Sequence, residues 1–90
     1  MALNEEKEKT CLKLVKSRLG ITQNIRDEYI TDIIRGVVSD LENRNGIVID
    51  GDDFGHLMFV CDYSEYRYSN VGISAIPRHL EMRLHDLIYG

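Results

Sequence analysis

The chain is predicted to be all-α: a small bundle of about four helices, with a short extended connector and a separate C-terminal helix. Three observations carry that expectation. Apolar residues recur at helical spacing through Ile25, Tyr29, Ile30, Ile33, Ile34, Val37, Val38 and Leu41. Breakers fall between the periodic stretches, at Gly20, Asn45-Gly46, Gly51 and Pro77. The composition also leans helical, with no Trp, a single Pro and abundant Leu, Ile, Glu, Lys and Arg.

The first helix is expected to start at Asn4. The Asn side chain can accept from the free amides of the first turn, and Glu5 and Glu6 sit at the positive end of the helix dipole. Leu12, Val15 and Leu19, widened by Cys11 and Leu14, form its apolar face, and Gly20 supplies the stop. Lys9, Lys13 and Lys16 form a stripe on another face. That stripe reads either as a solvated face paired to Glu5 and Glu6, or as a surface for DNA or an acidic partner.

The second helix is expected to open at Asn24, with Asp27 three residues on. Six of its seven aliphatic positions are β-branched, which favours strand locally. The period is wrong for a strand, however, and about 20 residues is too long for one. Gly36 lies inside this helix at a cost of about 1 kcal/mol against Ala, which a close helix crossing would explain.

Ile47 to Asp50 is a short apolar run between two glycines. It reads as an extended connector covering a helix end, with an edge strand paired to a neighbouring subunit as the alternative. Asp52 or Asp53 then caps a third helix running to about Tyr68. Its residues Phe54, Leu57, Met58, Phe59, Val60, Cys61 and Tyr63 cover nearly the whole circumference, so it is expected to be central in the bundle. A loop from Ser69 to Ile76 follows, in which Gly72 supplies freedom of φ. Pro77 suits the first turn of the last helix, whose apolar stripe is Leu80, Leu84, Leu87 and Ile88.

Ninety residues make one domain, 1–90, with no internal repeat. A chain of this size buries only about 60–70% of its unfolded surface, which makes self-association an economical source of stability. The formal net charge of −4 argues against tight binding to duplex DNA, because phosphate neutralisation supplies most non-specific affinity. No apolar run is long enough to span a membrane, and Met1 to Thr10 has no apolar stretch of the secretory kind. Cys11 and Cys61 sit among helical apolar residues and read as reduced core thiols rather than a disulfide, which suits a cytoplasmic protein.

No catalytic or cofactor constellation is legible, so neither an enzyme activity nor a cofactor or metal site is expected. His79 and His85 are six apart, roughly 240° around a helix, and cannot readily share a metal. The two cysteines lack zinc-ligand spacing. Asp50, Asp52 and Asp53 match the start of a calcium loop, but Phe54 takes the next ligand position and no glutamate closes the loop. These aspartates read as caps and turn formers.

The C-terminal third is the most distinctive stretch. It holds Tyr66-Arg67-Tyr68-Ser69-Asn70, then Pro77-Arg78-His79-Leu80 with Arg83-Leu84-His85. This block resembles the C-terminal half of the small head–tail connector (adaptor) proteins of long-tailed bacteriophages and prophages. The order of the remaining elements is similar too, including a first helix ending in Leu19-Gly20-Ile21-Thr22. One departure is the apolar segment Val71 to Ile76, where the family would have an acidic, glycine-rich loop.

The resemblance implies a structural protein of the virion. It would form a cyclic homo-oligomer, dodecameric in the particle, between the portal protein and the next neck or tail component, and complete DNA packaging. DNA would pass through the ring without specific binding, no membrane would be involved, and the protein would move from host cytoplasm to virion neck. Tyr and Arg are favoured at protein interfaces. Tyr63, Tyr66, Arg67 and Tyr68, with Lys13 and Lys16, are therefore candidate self-association residues. In that scheme the lysines of one copy meet acids such as Asp62 and Glu65 of the next. Pro77, Arg78, His79, Arg83 and His85 are candidate portal-docking residues. The bland readings are a tyrosine cover over the domain's own core and a solvated last helix. The competing function is a small helical DNA-binding regulator of phage origin, with the last helix as its reading element. Glu81 and Asp86 on that helix speak against it.

Overall fold

The computed structural model describes residues 4–71 and 76–89, so Gly72 and most of the apolar loop segment lie outside the described residues. Four helices follow one another: α1 (Glu5–Leu19), α2 (Asp27–Asn43), α3 (Phe54–Ser69) and α4 (Arg78–Tyr89). Among the described residues there is no strand, and the all-α bundle is as expected.

Side-chain pairs fix the topology. Lys16 meets Asp27, and Glu8 meets Arg35, so α1 and α2 run antiparallel. Tyr29, at the start of α2, packs against Tyr68 at the end of α3, while the connector is held by the Leu41 carbonyl late in α2 and by His56 in the first turn of α3, which sets α2 antiparallel to α3. Arg83 reaches Asp62 while Leu80 and His79 lie beside Tyr66 and Asn70, so α4 returns antiparallel along α3. The result is an up-down-up-down bundle in which α3 touches all three other helices, and among the described helices α4 packs on α3 alone.

The helix ends follow from the local sequence. The Asn4 side chain accepts from the Lys7 amide at 2.8 Å. At the other end of α1, Gly20 sits at φ 71°, the Gly20 amide donates to the Ser17 carbonyl, and the Ile21 amide donates to the Lys16 carbonyl. This is a Schellman closure, which a glycine makes without a Cβ penalty. Asp53 caps α3 by accepting from the Gly55 and His56 amides at 2.8 and 3.2 Å.

The start of α2 differs from the expectation. The helix begins at Asp27, after Arg26, with no side-chain cap, while Asn24 lies in the preceding turn and accepts from Lys16 Nζ at 2.9 Å. Ile25 therefore falls off the helical stripe and is 84% exposed. Of the rest of the stripe, Ile30, Ile34, Val37, Val38 and Leu41 are buried and Ile33 is half-buried, while Tyr29 stays exposed.

The connector behaves as an extended cover. Ile47 and Ile49 are buried while Val48 is 80% exposed, an alternation of period two. The Ile47 amide donates to the Leu41 carbonyl, and the Asp50 amide donates to His56 Nδ1 at 3.0 Å. The imidazole of His56 thus holds the connector against the first turn of α3. The core joins these residues to Cys11 and Val15 of α1, to Leu57, Phe59, Val60 and Cys61 of α3, and to Leu80 of α4. Cys11 and Cys61 are both free thiols with no exposed surface.

Candidate functional site

The C-terminal block divides into two parts, an inward network and an outward ridge. On α3, Tyr63, Tyr66, Arg67 and Tyr68 are all half-buried. The Tyr63 ring meets Phe59 edge-on at 6.0 Å, and the Arg67 guanidinium lies 4.8 Å from the Tyr63 ring centre. Arg67 also pairs with Asp40 of α2. Burial opposes the charge of Arg67, but the hydrogen bonds to Asp40 and Tyr63 outweigh it and hold the guanidinium pKa above its usual value. Tyr68 accepts from the Arg26 guanidinium, and its ring centre lies 5.9 Å from that of Tyr29. Much of the tyrosine–arginine cluster is thus committed to the seam between α2 and α3.

Asp62 is a second node. It accepts from Arg18 of α1 and from Arg83 of α4, while Glu65 stands 3.7 Å from Arg18. Arg83 also lies over the Phe59 ring at 5.4 Å. One carboxylate on the central helix therefore ties three helices together. Asp62 and Glu65, which sequence reasoning offered to the lysines of a neighbouring copy, are engaged by arginines of their own chain. Lys16 is likewise engaged, at 2.7 Å from Asp27, whereas Lys13 is exposed and forms no ion pair among the described residues.

The outward ridge runs along α4. Leu80, Leu84, Leu87 and Arg83 face α3, which turns Arg78, Met82, His85 and Tyr89 to the opposite side. Arg78 and His85 are exposed, Met82 is 60% exposed and Tyr89 77% exposed. The His85 and Tyr89 rings touch in a tilted arrangement, with centres 4.6 Å apart and planes at 46°. An open depression lined by Ile76, Arg78, Glu81, Met82 and His85 borders the ridge. His79 is exposed on the flank and Pro77 is half-buried at the entry to the helix.

Of the five docking residues named from sequence, the structure therefore sets Arg78 and His85 on one ridge, His79 beside it, Pro77 at its base and Arg83, half-exposed, turned towards Asp62 on α3. Met82 and Tyr89 were missed. Their signal was present as spacing: Arg78, Met82, His85 and Tyr89 step by four, three and four, opposite the leucines.

Among the described residues no group of three or more His, Cys, Asp or Glu side chains is placed to hold a metal ion, and no helix is long and apolar enough to cross a membrane. In comparisons with protein-family models, curated proteins and solved structures, nothing matches the chain.

Proposed function

We propose that the chain is a structural subunit of a phage or prophage head–tail connector. It assembles as a cyclic ring between the portal and the tail, in the host cytoplasm first and then at the virion neck. It works by fitting surfaces together, with no catalytic step and no cofactor. DNA passes through the ring without sequence-specific contact.

One observation carries this reading: α4 is held by a single seam on α3 and presents a mixed cationic and aromatic ridge outward. Arg78, Met82, His85 and Tyr89 combine a guanidinium, a thioether and two rings, the side-chain types that dominate protein interfaces. The motifs Tyr66-Arg67-Tyr68-Ser69-Asn70 and Pro77-Arg78-His79-Leu80 support the same assignment through their resemblance to the connector proteins. The block then has two tasks: its tyrosines and Arg67 brace the bundle, and its last helix meets the portal. The regulator reading is disfavoured because Arg83 is taken up by Asp62, leaving Arg78 and His79 beside Glu81 on the candidate reading helix.

The test is deletion of the coding frame from an inducible phage. Heads that leak their genome and carry no tails are expected. Restoration by the wild-type chain, but not by a folded Met82→Asp, Tyr89→Ala variant, would assign the ridge. Particles that stay sealed and tailed without the chain would end the proposal.

A further inference from the structure

We infer that copies of this chain associate head to tail, with the start of α2 of one copy seated in the lysine-rimmed groove along α1 of the next. The groove has a volume of about 430 Å³ and lies between α1 and the turn before α2. Its apolar lining is Leu12 and Ile21, both only partly buried, and Lys9 and Lys13 stand along it. Lys16 is already held within the groove by Asp27 and Asn24. Among the described residues Lys9 pairs only with Glu5, at 3.7 Å with both side chains mostly in water, a pairing weak enough to exchange. Lys13 is in no ion pair among the described residues.

The surface that matches this groove lies on the same hairpin but faces another way. Ile25 is 84% exposed because α2 begins two residues later, and Tyr29, one turn on, is 49% exposed. Glu28 and Asp32 flank them, both exposed and in no ion pair among the described residues. Asp32 lies within electrostatic reach of Arg35, but that guanidinium is already bound by both carboxylate oxygens of Glu8 at 2.9 to 3.2 Å. Arg26, on the same turn, is directed to the Tyr68 hydroxyl. The patch thus offers two apolar side chains and two carboxylates to a groove that offers an apolar floor and two ammonium groups.

Burying Ile25 and Tyr29 supplies the driving force, and the charge match sets register and excludes other faces. Because donor and acceptor surfaces are different regions of one chain, the contact is heterologous and repeats from copy to copy, closing into a ring when the rotation allows. It rests on the connector reading only for that closure. The occupant of the groove is a second copy of this chain.

An equal mixture of light and heavy-isotope protein, treated with a carbodiimide at low ionic strength, tests the contact without any substitution. Amide links between Lys9 or Lys13 of one isotope and Glu28 or Asp32 of the other are expected, falling severalfold when salt is raised. In a second arm, Lys9→Glu, Lys13→Glu and Glu28→Lys, Asp32→Lys variants, each shown to be helical, should sediment as monomers alone and associate when mixed. Absence of mixed-isotope links, or association of either variant alone at wild-type strength, would overturn the inference. A loss of this contact leaves the deletion experiment to decide the connector reading. Conversely, sealed and tailed particles without the chain would not touch the cross-links.

Discussion

Gly36 occupies a helix interior where no close crossing requires it. The nearest atom to a Cβ built there is Arg67 Nη1 at 3.8 Å, ordinary contact with the end of a long side chain. Gly36→Ala should therefore stabilise the protein by about 1 kcal/mol, raising the midpoint of thermal unfolding by about 4–8 °C, read by circular dichroism. Glu8 is the opposite case, a carboxylate buried on α1 whose partner Arg35 stands half in water. Arg35→Ala leaves that carboxylate without its cation and should lower the midpoint, while Glu8→Leu combined with Arg35→Leu should recover part of the loss. Cys11 and Cys61 have no exposed surface, so neither should react with an aromatic disulfide reagent faster than the protein unfolds. The hydrogen bond with Cys61, and then burial, push the Cys11 thiol pKa up. The folded chain thus keeps a proton that the unfolded chain releases near pH 8.5. The stability this contributes is present below that pH and is lost as pH rises above it, so Cys11→Ala should flatten the decline of stability in alkaline urea titrations.

At the scale of elements, the two clean N-caps and the single-seam helix are the informative parts. Asp53 satisfies two amides of α3, and Asp53→Ala should cost about 1 kcal/mol in urea denaturation. Leu80 is the one fully buried residue of α4, and it anchors the helix to α3. Leu80→Ala should cost about 2–4 kcal/mol, with amide exchange accelerating in α4 before α1 to α3. The caps at Asn4 and Asp53, the stop at Gly20 and the course of α3 were all legible in the sequence, because a cap is a local hydrogen bond between near neighbours. The start of α2 was not. Asn24 has the right side chain for a cap, but Lys16 of the preceding helix draws it away, and that competitor is visible only once the hairpin has closed.

For the whole molecule, charge distribution matters more than net charge. The chain carries −4 in total, with Lys9, Lys13 and Lys16 gathered on one side of α1 and carboxylates exposed on α2. On heparin it should elute at low salt, well before a duplex-binding regulator of the same size; retention at moderate salt would favour the regulator. Much of the arginine inventory is used internally, as Arg18, Arg67 and Arg83 each pair with a carboxylate on another helix. That internal use is why the candidate site shifted from Arg67 and Arg83 towards Met82 and Tyr89.

Helix number, order and apolar faces were set locally, by periodicity, capping residues and breakers that act within a turn or two of the chain. Which side chains remain outside was settled by packing. Asp62 binds two arginines from different helices, Arg67 crosses to Asp40, and α4 rests on α3 alone. Each of those ion pairs joins residues 21 or more positions apart, and a linear pattern holds no information on which cation reaches a given carboxylate first. The surfaces left for partners are the remainder after that internal pairing, and they exist only in the folded bundle.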